Sequence, residues 1–269
     1  MSISAKIIAD SISPSGVRIT TMQLSYPRFI HSETLTHRMF SRNAASSRAI
    51  PIQKMIDQVL LDPAMPVFWG KNEPGMQAQE ELEPAKRGDA LVEWLNARRS
   101  AVAHAERMIE LGVHKQIANR LLEPFQEMQT IVTATEWSNF YNLRRHADAQ
   151  PEMKVLADAM WEAKEASTPI LLNAGEWHLP YILKGEVGTL DEKKKWSVAR
   201  CARVSFLNHD NQSPDGWKDV KLHDRLLKSG HFSPFEHIAT PVCSGYPAID
   251  QSMNANLRGW QSYRLKLAC

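Results

Sequence analysis

Cysteine is scarce: Cys201, Cys243 and Cys269 are the only three in 269 residues. Their odd number and wide spacing argue against a disulfide framework and fit a reducing compartment, so a cytoplasmic location is expected. No run approaches the roughly 18 to 20 apolar residues that cross a bilayer. The opening Met-Ser-Ile-Ser-Ala-Lys has no basic region leading into an apolar stretch, so no secretory signal is expected. An excess of one charge is also missing: 32 Lys and Arg stand against 30 Asp and Glu, a formal net charge of +2, mixed along the chain. A protein that coats nucleic acid carries a stronger or more segregated positive field. Neither nucleic acid nor membrane is therefore an expected partner, and any bound anion is local and small. A Gly-x-x-x-x-Gly-Lys-Ser/Thr phosphate loop, a His-Glu-x-x-His zinc motif and an obvious Ser-His-Asp set are all absent. Cys201 has no motif around it and reads as buried packing.

What is present is a globular composition, 43% hydrophobic and 23% charged, whose length admits one large domain or two small ones. No short repeat and no linker divides it, so residues 1–269 read as a single domain. Stretches 3–9 and 17–26 have strand-like β-branched content around the turn Ser13-Pro14-Ser15-Gly16. After Pro27 a helix is expected to begin, with Leu35 and Met39 facing inward beside His37 and Arg38, before the polar tail Ser41 to Arg48 bends into a loop. A short helix is expected near 52–61. Residues 62–88, punctuated by Pro63, Pro66, Gly70, Pro74, Gly75, Pro84 and Gly88, read as an irregular insertion, a surface lid or an interface arm. Helices are then expected over 89–112, stopped by Gly112, and roughly over 113–122. Others follow over 133–146 with Thr135 as cap, 151–168 with Pro151 in the first position, 192–206 and 219–229.

Residues 36–48, "THRMFSRNAASSR", place Arg38, Arg42 and Arg48 within one bend. Burying unpaired guanidiniums is costly, which leaves two readings. One is a solvated face or a salt-bridge patch at an oligomer interface. The other is an anion site, where charge-assisted hydrogen bonds of roughly 1.5 to 3 kcal/mol each outweigh the ordering of a loop. Ser46 and Ser47 would then be directional donors beside Arg48. In "TEWSNFYNLRRH", residues 135–146, Arg144 reads either as the partner of Glu136 or another acid, or as a functional guanidinium. Asn139 fits a helix-packing hydrogen bond, and Trp137 and Tyr141 fit the core. "HFSPFEH", residues 231–237, lacks the spacing of a metal site and reads as a surface turn with an ordinary helix start.

The arginine-rich bend resembles the signature of the flavin-dependent, or alternative, thymidylate synthases: Arg-His-Arg, seven residues, then Ser, closing on Ser-x-Arg. Here Thr36-His37-Arg38 is followed by seven residues and then Ser46-Ser47-Arg48, with Ser41 and Asn43 at internal positions. Thr36 stands where an arginine is usual and Ala44 where a glutamate is usual. Trp137, Asn139 and Arg144, followed by Ala149-Gln150-Pro151-Glu152, are similar to a second block of that family. Asn119-Arg120-Leu121-Leu122-Glu123-Pro124 is similar to its Ala-Arg-x-x-Leu-Pro segment. Thr133 and Thr135 take two flavin-facing positions commonly held by asparagine and arginine. His231, Ser233, Glu236 and His237 match a His-x-Ser-x-x-Glu-His motif. That block usually precedes the arginine signature and lies far downstream of it here. A circular-permutation-like order is implied, which chain termini close in space would tolerate.

The resemblance implies a mixed α/β (α+β) domain with a central, mostly antiparallel sheet flanked by helices, in a homotetramer with shared active sites. It implies FAD as cofactor, NADPH and methylenetetrahydrofolate as cosubstrates, and conversion of dUMP to dTMP, with no metal. His37, Arg38, Asn43, Asn139, Ser233, Glu236 and His237 would hold the cofactor. Ser46, Ser47, Arg48, Arg120 and Arg144 would hold the nucleotide. Arg144, Ser46 and His231 would stand nearest the reaction: Arg144 between pyrimidine and flavin, Ser46 positioning the substrate, and His231 helping to admit folate or nicotinamide. Uracil gains negative charge on its carbonyl oxygens when C5 becomes nucleophilic, and a fixed guanidinium stabilises that charge more than it stabilises the neutral ground state. The departures at Ala44, Thr133 and Thr135 keep hydroxymethylation of dUMP or dCMP open as an alternative. A non-catalytic nucleotide-binding or structural oligomer is a third reading. Near the end of the sequence, Arg258, Trp260 and Arg264 read as structural edge residues or as contacts that cover the site.

Overall fold

The computed structural model describes residues 3–205, 207, 212–213, 215–242 and 254–267. In it, β1 (Ser4–Ile12) and β2 (Arg18–Pro27) form the antiparallel hairpin expected from their β-branched content. Gly16 adopts a φ of +81° in the connecting turn, a conformation that costs glycine nothing. On the other side of β2 lies β4 (Glu127–Ala134), which pairs antiparallel with β2 from Thr20↔Ala134 to Pro27↔Glu127. The short β3 (Ser41–Ala44) pairs antiparallel with the far edge of β4, and β5 (Ile170–Leu171) runs parallel to β1. The sheet order is β3-β4-β2-β1-β5, the mixed and mostly antiparallel sheet of the expected fold class.

Helices cover both faces of this sheet. Met22, Leu24 and Tyr26 of β2 and Met128 and Val132 of β4 pack on Met153, Leu156 and Met160 of α6 (Pro151–Glu165) and on the aromatic group Phe40, Trp137 and Phe140. Ile131, on the opposite face of β4, packs on Tyr181, Cys201 and Val204 at the end of α7 (Leu190–Arg203). A satellite core joins α2 (Ile52–Leu61) to the long α3 (Pro84–Glu110) through Met55, Ile56, Val59, Val102 and Ala105.

Several elements differ from expectation for identifiable reasons. The helix after Pro27 is only α1 (His31–Thr34). It ends where Nη1 of Arg42 donates to the carbonyls of Thr34, Leu35 and His37 at 3.3, 2.8 and 2.9 Å. Leu35 and Met39 consequently do not face inward: they are 45% and 37% exposed. Ser41–Ala44 is a strand and not a loop. Pro84 occupies the first turn of α3, so the irregular stretch is 62–83 and the helix begins before Asp89. The segment expected as a helix near 113–122 is the short α4 (Lys115–Ala118) followed by a 3-10 turn, Asn119–Phe125. Helix α5 (Ser138–Arg144) starts after Trp137; Thr135 does not cap it, and the Thr135 hydroxyl is buried with no hydrogen-bond partner.

Helix α7 opens with a capping box between Thr189 and Glu192, and α8 (Gly216–Lys228) packs beside it. The remaining segments are β6 (Ala239–Pro241), β7 (Trp260–Ser262) and α9 (Tyr263–Leu267). Strand β7 pairs with β6 in a separate two-stranded sheet and does not extend the central one. Cys201 is buried, whereas Cys243, Cys269 and half of the polar loop 208–217 lie outside the described residues. Among the described residues no helix is long and apolar enough to cross a membrane.

An ion-pair network joins α7 to α8. Nε of Arg200 donates to Asp219 at 2.9 Å, Arg203 donates to the other oxygen of Asp219 at 2.7 Å, and Arg200 also meets Glu186 and the carbonyl of Tyr181. Arg200 and Asp219 have side chains 1% and 0% exposed, so each depends on the other for compensation of its lost hydration. Asp219→Ala is expected to cost about 3 to 5 kcal/mol of unfolding free energy, because it leaves two guanidiniums without their shared carboxylate. Urea unfolding checks this; a loss below about 1 kcal/mol, the value of an exposed pair, would show that the network is solvated.

Candidate active site

The two sequence blocks meet through a single guanidinium. Arg144 lies in the last turn of α5, where a cation is favoured by the carbonyl end of the helix dipole. Phe140 and Tyr141 anchor that helix: Phe140 packs edge-on against His37 with ring centroids 4.8 Å apart and against Phe40 at 5.1 Å, and Tyr141 stacks on Trp137 at 6.0 Å. Trp137 and Tyr141 are core aromatics, as their positions predicted. From this base Nε of Arg144 donates to Nε2 of His37 at 2.9 Å, and Nη1 lies 3.4 Å from Glu33. The acid beside Arg144 is therefore Glu33 and not Glu136.

An arginine can only donate, so His37 Nε2 is an acceptor and the imidazole is neutral with its proton on Nδ1. Burial, followed by the nearby charges of Arg144 and Arg42, pushes the His37 pKa down to about 4. His37, Arg38 and Thr36 line one cavity of about 320 Å³ together with Asn139, Glu136 and Arg258; Phe40 and Phe140 supply its aromatic wall. Arg38 and Asn139 are exposed at the opening.

The remaining signature residues sit elsewhere on the chain. Ser46 and Arg48 are exposed on a turn, and Ser47 between them is buried. That turn is held by Asn119, whose Nδ2 donates to the carbonyls of Ser47 at 2.8 Å and Ile50 at 3.3 Å, and by Lys115, which donates to the carbonyl of Ala49 at 3.2 Å. Arg120, next to Asn119, is exposed and paired with Glu123 at 2.7 Å. Ser47 lines a second cavity of about 180 Å³ with Arg28, Gln58 and Glu127. Burial pushes the Glu127 carboxyl up to about 7, and its Oε2 has no hydrogen-bond partner. The arginine-rich bend thus divides: His37 and Arg38 face one cavity, Ser47 another.

The 231–237 block packs against the signature strand. Ser233 donates to Oδ1 of Asn43 at 2.8 Å, and Nδ2 of Asn43 donates to the carbonyl of Cys201 at 3.2 Å. Glu236 pairs with Arg264, and His231 is exposed where the turn begins. The block is not the surface turn that its composition alone indicated: Pro234, Phe235 and His237 are buried. His237 Nδ1 bonds Thr133 at 2.8 Å, Thr133 bonds Thr21 at 2.7 Å, Thr21 bonds Nε2 of His178 at 2.7 Å, and Nδ1 of His178 meets Ser11 at 2.9 Å. Burial holds both imidazoles near pKa 3, hence neutral. This chain of hydroxyls and imidazoles crosses β1, β2 and β4 and turns Thr133 inward. Among the described residues no group of three His, Cys, Asp or Glu side chains is arranged to hold a metal ion.

Sequence reasoning missed Glu33, whose partner Arg144 lies on the distant α5. It named Arg42 and Asn119 but not what they do, which is to hold backbone carbonyls of the turns at 34–37 and 47–50.

A family model described as thymidylate synthase complementing protein matches residues 13–170, a span that contains the arginine-rich bend and the Arg144 block but not residues 231–237. No curated protein sequence matches the chain. Among solved structures the fold is similar to that of a UMP/dUMP methylase, PolB from Streptomyces cacaoi, bound with 5-Br UMP, at 16% identity and a TM-score of 0.50, covering 61% of this chain and 89% of that one. A second structure of that protein, bound with 5-Br dUMP, gives 15% identity and a TM-score of 0.50 over 61% of this chain and 90% of the other. With the family match spanning more than half of its residues, the chain belongs to the thymidylate synthase complementing protein family and is a thymidylate synthase-like methyltransferase.

Proposed function

We propose that this chain transfers a one-carbon unit from methylenetetrahydrofolate to C5 of dUMP and yields dTMP, with FAD as cofactor and NADPH as reductant. The observation that carries the reading is the 2.9 Å contact between Arg144 and His37 beside the cavity of Arg38 and Asn139. The donor set there fits a flavin nucleotide: guanidiniums for phosphate, an imidazole and an amide for a ring edge, and phenylalanines for an aromatic face. When bound, FAD supplies the hydride that completes the methyl group. Arg144 stabilises charge developing on the uracil oxygens, and neutral His37 fixes its direction without adding a competing cation. Ser46, Ser47, Arg48 and Arg120 hold the nucleotide phosphate. Asn43, Ser233, Glu236 and His237 are assigned to the cofactor, and His231 to its entrance, by the resemblance alone, since none of them lines the cavity of Arg38 and Asn139.

The separation of the two cavities within one chain supports a homotetramer whose sites draw residues from several subunits. The nearly full exposure of Leu61 and Met76 at 85% and 107% supports it too, with 62–83 as an interface arm. A permuted motif order is supported by the packing of Ser233 on Asn43 and of His237 on Thr133, downstream of the family match. The inward turn of Thr133, and Ala44 in place of a carboxylate, favour hydroxymethylation of dUMP or dCMP as the second reading.

Incubation with dUMP, labelled methylenetetrahydrofolate, FAD and NADPH, followed by product mass, separates these outcomes: a methylated nucleotide is expected, and a hydroxymethylated one would establish the second reading. In the same assay Arg144→Ala should lower turnover by about 10² to 10³-fold, the usual effect of removing one charge-stabilising donor. Arg48→Ala should mainly raise the KM for dUMP; parental kinetics in both variants would remove the site assignment. The Arg144–His37 contact also has a pH signature. His37 should remain neutral until the pH falls through about 4, when a proton on Nε2 displaces the Arg144 donor. In NMR titrations its midpoint should rise in Arg144→Ala, because a nearby cation that disfavours the imidazolium has gone; an unmoved midpoint would mean that the contact is not made in solution.

A further inference from the structure

We propose that Arg258, from the segment beyond the family match, is a phosphate-binding residue of the same cavity as His37 and Arg38, and that it takes the nucleotide phosphate of the flavin cofactor. The inference rests on the flavin reading above. Three observations carry it.

First, Arg258 and Arg38 line one cavity although they are far apart in sequence, and the polar groups Ser138 and Asn139 line it with them. Two guanidiniums against the single carboxylate of Glu136, with neutral hydrogen-bonding groups around a partly aromatic cavity, suit an anion attached to an aromatic body. Second, the partner of Arg258 is weak. Glu136 lies 3.8 Å away, at the limit of an ion pair, and the two side chains are 69% and 41% exposed. Such a pair contributes little to stability and yields readily to the pyrophosphate of FAD, which carries one negative charge on each phosphate.

Third, the backbone that presents Arg258 is fixed on both sides. Leu257 and Trp260 are fully buried, and the Trp260 indole donates to the carbonyl of Val17 at 3.1 Å. Trp260 N donates to the carbonyl of Leu257 at 3.0 Å, closing a tight turn around Arg258. Gly259 within that turn has φ +74°, and a Cβ there would stand 3.0 Å from Val17, so any other residue would be strained. An exposed arginine on an immobilised turn is arranged for binding, since less backbone freedom is lost when the ligand arrives.

Thr36 lines the same cavity. It is also the signature position that lacks the arginine usual in the resembled family, so the cavity regains from position 258 the guanidinium absent at 36.

Titration of the full-length protein with FAD, followed by flavin fluorescence at several salt concentrations, tests the proposal. Arg258→Ala should bind FAD about tenfold more weakly and with a shallower salt dependence, as expected on losing one charge-assisted contact. Adding Thr36→Arg to that variant should restore both affinity and salt slope. Parental affinity and slope in Arg258→Ala, while the parent binds FAD, would overturn the role of Arg258 alone. Failure of Thr36→Arg to restore binding would overturn the idea that the two positions serve one phosphate. A parent that takes up no FAD would remove the flavin reading itself, and the role of Arg258 with it.

Discussion

The pairing of β4 with both β2 and β3 is the constraint on which the rest depends. β3 carries the middle of the arginine signature, and α5 follows closely on β4. Because these two strands are neighbours, the turn that presents His37 and the helix that presents Arg144 emerge at the same edge of the sheet. The register on the other side of β4 sets Thr21 opposite Thr133, so their hydroxyls meet at 2.7 Å and extend to His178 and His237. A slip of one residue would reverse the facing of every side chain in β4 and separate the site from its support.

Elements with strong local signals were legible in the sequence. The β1–β2 hairpin showed in its β-branched content and Gly16 turn, α2 in the boundary at Pro51, and α6 in Pro151 and its apolar stripe. β4 was not legible. Thr130, Ile131, Val132, Thr133 and Ala134 are all buried, so the polar and apolar alternation that marks a half-exposed strand is missing. The helix expected through Leu35 and Met39 failed for a tertiary reason, since Arg42 satisfies the carbonyls that a further turn would have used. At the site, motif spacing named His37, Arg38, Asn139 and Arg144, which the fold places near one another. The spacing was silent on the division of the bend between two cavities, because β3 lies between His37 and Ser47 and its pairing with β4 is a long-range contact.

Several buried polar groups tie distant segments together. Asp10 binds Arg18, Thr20 and Ser167 and so ties the β1–β2 hairpin to the end of α6; burial raises its carboxyl pKa, but the Arg18 and Ser167 contacts prevail and hold it below the usual range. Arg200 and Asp219 do the same for α7 and α8. Such pairs add little net free energy compared with apolar packing, but mispairing them is costly, which favours one arrangement of helices around the sheet. The same logic applies at the site, where Arg42 and Asn119 spend their donors on backbone carbonyls to shape the turns that carry the functional side chains.

The central claim is that Arg144 and His37 act as one unit on the reacting pyrimidine. A double-mutant cycle with Arg144→Lys and His37→Asn, read in kcat/KM for dUMP, tests it most directly. Residues in contact and acting together should show a coupling of about 0.5 to 3 kcal/mol, the second substitution costing little once the first is made. Strictly additive losses would contradict the account, because they would mean that each side chain works without the other.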